Sequence, residues 1–331
     1  MQEFVESNFL GLPEDVSVSP DVVIVPLPYE MTTSYGQGTA DGPKAFIEAS
    51  AQVELFDVRV GEDLPAGMRF RTIEAWDSDA PTLRKQLNEM AVFASDFFHG
   101  DCFPLFIGGE HGILPPVVSA SRVHPLIDGN LEKLTIVQID AHADLRDELD
   151  GEVLSHACAA SRSLDLGVGK LVQVGIRAFS KQEFELITKD KRISTFFARD
   201  VCSPSNGLTY WNEFIEEIKS ITGPVHLSID IDGLDGSLVP ATGTPVPGGL
   251  GFWHIDELLI ALFQGEGTVI SADVNEIVEQ KDNPLTQFTA AQIGTRIISE
   301  HIIARKAGKW VKTQSDNEEI DVTQSAVFES F

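Results

Sequence analysis

Six short runs along the chain are apolar almost without interruption, and longer stretches of mixed character separate them. They are Val22–Pro28, Cys102–Gly108, Leu134–Asp140, Leu171–Arg177, Val225–Asp232 and Thr268–Val274. In VVIVPLP and LTIVQID nearly every position is apolar, the pattern of a strand covered on both faces rather than one. Between the runs, helical spacing is predicted over Pro43–Leu55, Pro81–Phe98, Tyr210–Lys219, His254–Phe263 and Gln287–Arg305. In the last of these, Phe288, Ala291, Ile293, Ile297, Ile298 and Ile302 recur at roughly the period of a helix. Strand and helix alternating over the whole length predict one domain, a three-layer α/β/α sandwich with a mostly parallel central sheet. No internal repeat or low-complexity block interrupts it. The Pro- and Gly-rich stretch Pro240–Gly251 lies between strong elements and is expected to be a structured loop.

Charge narrows the function classes. The 331 residues carry 24 Lys+Arg against 51 Asp+Glu, a net charge of −27. Such a chain does not bind nucleic-acid backbones unaided, since that requires clustered bases, and an anionic membrane surface repels it. It suits cations, either metal ions or a basic substrate. Seven acids (Glu3, Glu6, Glu14, Asp15, Asp21, Glu30, Asp41) precede the first base, Lys44, and five (Asp316, Glu318, Glu319, Asp321, Glu329) follow the last, Lys312. Both acidic ends are expected to be solvated and poorly ordered. Cys102, Cys158 and Cys202 form no paired spacing, which fits reduced thiols in the cytoplasm. The N-terminal MQEFVESNFL lacks the features of a signal peptide, and no run approaches the ~18 apolar residues of a membrane span.

In open α/β sheets, ligands gather beyond the carboxyl ends of the strands. Three such ends carry unusual residues: Gly108-Gly109-Glu110-His111-Gly112, Asp140-Ala141-His142-Ala143-Asp144 and Asp230-Ile231-Asp232. Two imidazoles and four aspartates emerge there from apolar strands. Taken singly, His111 could be a helix-start histidine and Asp230-x-Asp232 a turn with an N-cap. Two strand-end aspartates flanking His142 have little structural use. Four carboxylates drawn together repel one another unless cations neutralise them. Oxygen donors with some imidazole suit a hard to borderline ion, Mn²⁺ ahead of thiolate-preferring Zn²⁺. Six ligands are about right for two ions that share bridging carboxylates and a hydroxide.

These motifs resemble those of the ureohydrolase family, the arginases, agmatinases and their relatives. GGEHG, DAHAD and SIDIDGLDGSLVPATGTPVPGG match its three metal segments. Ser34-Tyr35-Gly36-Gln37-Gly38 with Asp41-Gly42-Pro43-Lys44-Ala45, then Gly175-Ile176-Arg177, then Asp273-Val274-Asn275-Glu276-Ile277 extend the match across about residues 20 to 306. The resemblance implies an arginase-like fold and a hydrolase that releases urea from a small cationic guanidino substrate, with two Mn²⁺ per chain. By position, His111, Asp140, Asp144 and Asp230 would hold one or both ions, and His142 and Asp232 would complete the pair. Asp144 would also orient the hydroxide, Glu276 would pair with the guanidinium, and His156 in Leu154-Ser155-His156-Ala157-Cys158 would shuttle the proton. A trimer or hexamer is likewise implied.

Arginases follow D-x-H-x-D with an Asn- and Thr-rich loop and place acids after G-[IL]-R. Here the loop reads LRDELDGEVLSHAC and the second position reads Ala178-Phe179-Ser180. Both departures favour a substrate without an amino-acid head, agmatine hydrolysed to putrescine and urea. Guanidinobutyrate, arginine and other guanidino acids remain alternatives, as does a binding or regulatory protein that has kept the metal cluster. Arg146 and Asp147 suit either the site or a surface ion pair. Gly236 stands where the family has Pro and is expected to loosen its loop, and Val278-Glu279 also depart from the pattern. His226 is expected to be a hydrogen-bonded core residue and Cys158 a small buried one, while His99, His124, His254 and His301 lie outside the motifs.

Overall fold

The six apolar runs become the centre of a sheet whose eight strands are all parallel. The computed structural model describes residues 7–98, 101–310 and Phe328. In chain order the strands are β1 (Val22–Leu27), β2 (Phe56–Asp57), β3 (Glu62–Asp63), β4 (Phe70–Thr72), β5 (Phe103–Gly108), β6 (Thr135–Ile139), β7 (Lys170–Ile176), β8 (Ile193–Phe197), β9 (Pro224–Asp230) and β10 (Thr268–Asn275). The sheet runs β4-β1-β5-β10-β9-β6-β7-β8, and β2 and β3 form a separate antiparallel pair. β9 ends at Asp230, two residues short of the predicted run, because the chain turns into a 3₁₀ helix at Ile231–Gly233.

Pro26 sits inside β1, a strand paired on both sides. It is tolerated because β4 pairs only as far as Ile24↔Thr72. Carbonyls of Ile24 and Pro26 both face that side, accepting from Ile73 and Trp76, so the missing N–H falls where the neighbouring strand has ended.

The helices are α1 (Gly42–Ser50), α2 (Leu83–Ser95), α3 (Leu114–Ala120), α4 (Ala159–Asp165), α5 (Lys181–Lys189), α6 (Ala198–Val201), α7 (Gly207–Ser220), α8 (Phe252–Gln264) and α9 (Leu285–Lys306). Side chains of α1, α6, α7, α8 and α9 share one hydrophobic core with Leu105, Ile107, Val137, Ile139, Leu227, Ile229, Ala272 and Val274. Those of α2, α3 and α4 share the other with Phe106, Ile136, Leu171 and Ile270. Strand alternation divides the faces. On the second face the alternate positions of the central strands are polar and buried: Gln138, Gln173, His226, Ser228, Ser271 and Asp273. A column of hydrogen-bonding groups therefore climbs the middle of the sheet toward its carboxyl edge. In α9, Gly294 lets α1 close in, since a Cβ there would come within 2.4 Å of Phe46 Cζ.

The expectation of loose acidic ends fails where the N-terminal segment is described. Glu14 accepts from the Thr72 amide and hydroxyl. Asp21 pairs with Arg69 at 2.8 Å and Arg305 at 2.9 Å. Glu30 accepts from Gly38 N, Thr39 Oγ1 and Ala40 N, tying the loop after β1 to the start of α1. Glu3, Glu6 and the five C-terminal acids lie outside the described residues. Among the described residues no helix is long and apolar enough to cross a membrane.

Candidate active site

The three strand-end motifs meet at the carboxyl edge of β5, β6 and β9, the middle of the sheet. His111 Nδ1 lies 3.1 Å from Asp140 Oδ2, 2.9 Å from Asp144 Oδ2 and 3.8 Å from Asp230 Oδ2. His142 Nδ1 lies 3.0 Å from Asp232 Oδ2 and 3.7 Å from Asp140 Oδ1. Two donor groups result, His111–Asp140–Asp144 and Asp140–His142–Asp232, each compact enough for one ion. Asp140 belongs to both and turns one oxygen toward each. Asp230 stands at the edge of the first group, and its other oxygen accepts the Asp232 amide at 2.8 Å. The bland reading of that aspartate as an N-cap is therefore true as well, and both uses coexist.

The surroundings fix these side chains. His111 Nε2 is 2.9 Å from Ser228 Oγ, whose hydroxyl donates to Asp273 Oδ1 at 2.8 Å. Having given its hydrogen away, Ser228 can only accept, so His111 carries its proton on Nε2. Nδ1 is buried among the Asp140, Asp144 and Asp230 carboxylates without a hydrogen-bond partner; burial opposes a charge there, but Asp140 and Asp144 outweigh it and raise the affinity of the ring for a proton well above normal. A buried nitrogen without a partner, facing anions, is a place that a cation, proton or metal ion, would satisfy. Asp273 also binds His226 Nε2 at 2.6 Å, while His226 Nδ1 meets Ser271 Oγ at 2.8 Å, so His226 is a core residue as expected. Asp140 accepts from Gln138 Nε2 at 2.7 Å and its own loop's His142 amide at 2.6 Å. Asp232 accepts from Ala141 N at 3.0 Å.

Electrostatics show how uncomfortable this cluster is without cations. Burial, then the Asp140 charge, lifts Asp144 to about 7. Burial and then Asp232 and Asp140 push Asp230 well above the carboxylate range. Burial opposes a charge on His142, but Asp140 and Asp232 outweigh it and raise the imidazole to about 11. Asp140 moves the other way: burial resists its charge, yet His111 and His142 hold it below the usual range.

Glu276 leaves β10 with φ 62°, and Asp144 has φ 52°, both left-handed and costly for non-glycine residues. The Glu276 carboxylate accepts the His111 amide at 2.8 Å and its own amide donates to Gly109 O at 2.8 Å. Burial, then Glu110, raises its proton affinity well above normal. Glu276, Asp144, Asp230, His142 and His156 line one cavity of about 300 Å³, together with Ser34, Arg146, Leu149, Ala157, Ala178, Phe179, Glu183 and Thr244. Arg146 thus faces the site, its Nε 3.9 Å from Glu183 Oε2, while Asp147 is exposed. Arg177 donates to carbonyls of Asp232, Pro247 and Gly175, among others, and so pins the Pro-rich loop to β7 and to the turn after β9. Asp235 accepts from Ser237 N and Gly248 N. Gly236 therefore sits in a loop fixed on both sides, not the loosened one expected. Cys102, Cys158 and Cys202 are free thiols, Cys158 buried.

Ser228, Glu183 and Thr32 are not singled out by the sequence, and Asp273 and Glu110 stand in its motifs without a role. Ser228 and Asp273 share the sheet face of His226, so strand alternation in VHLSID and SADVN carries a signal for them. Glu183 is announced by the capping pattern Ser180-x-x-Glu183, which the structure realises at the start of α5.

Comparison with known proteins places this arrangement in context. The model of the Arginase family matches residues 20–299. A protein of Synechocystis sp. named N(1)-aminopropylagmatine ureohydrolase is 35% identical over 90% of this chain and 93% of its own length. The agmatinase of Pyrococcus horikoshii is 31% identical over 82% of this chain and 89% of its own. The crystal structure of agmatine ureohydrolase from Thermoplasma volcanium superposes with a TM-score of 0.71 at 27% identity, covering 87% of this chain and 92% of that one.

Proposed function

The chain belongs to the arginase family, and from that premise we propose that it hydrolyses a guanidino compound to urea and an amine, using two Mn²⁺ ions and agmatine or an extended agmatine as substrate. The observation that carries the reading is Asp140, which presents one oxygen to each of two imidazole–carboxylate groups. His111, Asp140, Asp144 and Asp230 would hold one ion, and His142, Asp232 and the shared Asp140 the other. Oxygen-rich donors with imidazole suit Mn²⁺. When bound, the ions supply a water of lowered pKa as the source of hydroxide.

The chain's own residues do the rest. Glu276, anchored through the His111 amide, pairs with guanidinium N–H groups and holds the carbon over the cluster. Asp144 accepts the hydrogen of the attacking hydroxide and so aims its lone pair. As the new C–O bond forms and the C–N bond breaks, His156 gives a proton to the leaving nitrogen. Burial holds His156 below its ordinary pKa, which makes it a stronger acid once protonated.

On the substrate side, Ala178 and Phe179 line the cavity where an amino-acid head would need polar partners. A second cavity, of about 410 Å³, shares Ser34 and Leu149 with the first and has Asp150 and Glu152 in its wall. These carboxylates favour a substrate that carries a further ammonium group beyond agmatine, in keeping with the name of the Synechocystis relative. Arg146 favours the alternative, a guanidino acid whose carboxylate it would meet. A cytoplasmic location, which three free thiols suit, and a trimer or hexamer, which the family resemblance implies, belong to the same proposal.

The test is urea release by Mn²⁺-loaded protein from agmatine, N-aminopropylagmatine, guanidinobutyrate and arginine. The expected order puts the two cationic amines first. No urea from any of them, with metal bound, would overturn the enzymatic reading in favour of a binding protein.

A further inference from the structure

Between the glycine pair and His111 lies Glu110, a fully buried carboxylate that no metal group includes. Its Oε2 accepts from Met31 N at 3.0 Å and Thr32 N at 2.7 Å, and its Oε1 from Thr32 Oγ1 at 2.7 Å. Glu110 N donates to Tyr29 O at 2.8 Å. A glycine is required beside it, because a Cβ on Gly109 would come within 2.0 Å of Tyr29 O. The loop after β5 and the loop after β1 are thus closed on each other, and Thr32 is held at a fixed place.

Thr32 then faces His156. Its Oγ1 accepts the His156 amide at 2.9 Å and stands 3.3 Å from His156 Nδ1. A threonine hydroxyl has one hydrogen and two lone pairs. The hydrogen is committed to Glu110, a carboxylate on which three donors converge, so only lone pairs remain for the histidine. Nδ1 can approach that oxygen favourably only as N–H. The proton-free nitrogen of the neutral ring is therefore Nε2. The same oxygen that sets the tautomer also grips the main chain of His156, so ring and backbone are oriented together.

Resting on the hydrolase reading above, we propose that Thr32, held in place by Glu110, is a positioning residue that locks His156 in the Nδ1–H tautomer and leaves Nε2 to exchange protons with the leaving amine. Thr32 belongs to neither metal group and lies outside the lining of the first cavity, so its effect on the reaction of agmatine passes through His156. The arrangement parallels the one that fixes His111, with the roles of the two ring nitrogens exchanged.

The experiment compares Thr32→Val and Thr32→Ser in the full-length, Mn²⁺-loaded protein. Thr32→Val keeps the shape and removes the hydroxyl, and it is expected to lower kcat about tenfold or more, a part of what a general acid supplies. Bound metal and KM for agmatine are expected to stay within about twofold of the parent, because Thr32 touches no ion ligand and borders only the second cavity, beyond the reach assigned to agmatine. Thr32→Ser restores the hydroxyl and is expected to recover kcat to within about threefold. Should Thr32→Val lower the melting temperature, Thr32→Ala is read in the same way against Thr32→Ser. The proposal is overturned if the valine variant keeps parental kcat, if serine fails to rescue, or if the loss appears in KM or metal content instead. A parent protein that releases no urea defeats the hydrolase reading itself, an outcome distinct from any of these.

Discussion

At the scale of single residues, the site is organised by what each hydrogen-bonding atom has already given away. Ser228 donates to Asp273 and so must accept from His111. Thr32 donates to Glu110 and so must accept from His156. Asp140 serves the two donor groups directly with its two oxygens, each of which also accepts one hydrogen bond, from Gln138 and from the His142 amide. Asp140→Asn nearly preserves shape but removes the negative charge from both groups at once, and it puts an amide donor against His111 or His142. Bound Mn²⁺ is expected to fall from about two per chain to below one, and kcat by about a thousandfold, the several kcal/mol expected of metal-assisted hydrolysis. Metal analysis after gel filtration with parallel urea assays checks this. Near-normal metal and rate in that variant would show that Asp140 is not shared.

At the scale of elements, burial decided what could be read. β1 and β5 were legible because both faces are covered, so the sequence has no polar positions there. β4 and β8 were not, because they are edge strands with half-exposed residues, and FRT and ISTFF have no distinctive pattern. α3 escaped because Pro115 and Pro116 break the helical signature, although at the first turn of a helix they cost little. The D-x-H-x-D run was legible as chemistry because its alternation has no core use. The Thr32–Glu110 partnership was not, since its members lie 78 positions apart and each is ordinary alone. Helix packing supplies the second prediction. α9 is buried over most of its length, and Gly294 is where Phe46 of α1 enters it. Gly294→Ala improves intrinsic helix propensity but forces a methyl to within 2.4 Å of Phe46 Cζ. Overpacking is expected to win, with a net loss of about 1–3 kcal/mol, seen as a lower melting temperature. The side chains that such a methyl meets, Phe46 and Leu105, do not line the site, so kcat of the folded variant should be unchanged. A melting temperature at or above the parent's would mean that Phe46 rotates away at no cost.

At the scale of the whole molecule, the net charge of −27 is not one property. Glu14, Asp21 and Glu30 spend theirs on hydrogen bonds that fasten the N-terminal segment, and the buried site carboxylates hold theirs against one another. That second group makes stability depend on pH in a direction opposite to ordinary acid denaturation. Asp144 has a folded-state value of about 7 against 3.8 for the free group. Folded, metal-free protein therefore holds a proton that the unfolded chain has released, and stability falls as pH rises between those values. His142 has a folded-state value of about 11 against 6.5. Its contribution is complete below 6.5 and declines as pH rises toward 11. Asp144 supplies the slope from pH 5 to about 7 and His142 from about 6.5 upward, both in the same sense and each worth up to about 1.4 kcal/mol per pH unit where its proton counts differ fully. Asp140, held low, is ionised in both states across this window and adds no slope. Chelator-treated protein is thus expected to melt at progressively lower temperature from pH 5 to pH 8. Mn²⁺ replaces the protons it displaces, so its stabilisation grows as competition from protons weakens. The gap between metal-loaded and metal-free melting temperatures should widen steadily over the same range. Thermal melts in matched buffers, with and without chelator, measure both curves. A gap that stays constant or narrows with rising pH would mean that the carboxylates and imidazoles at the end of the sheet do not hold the ions.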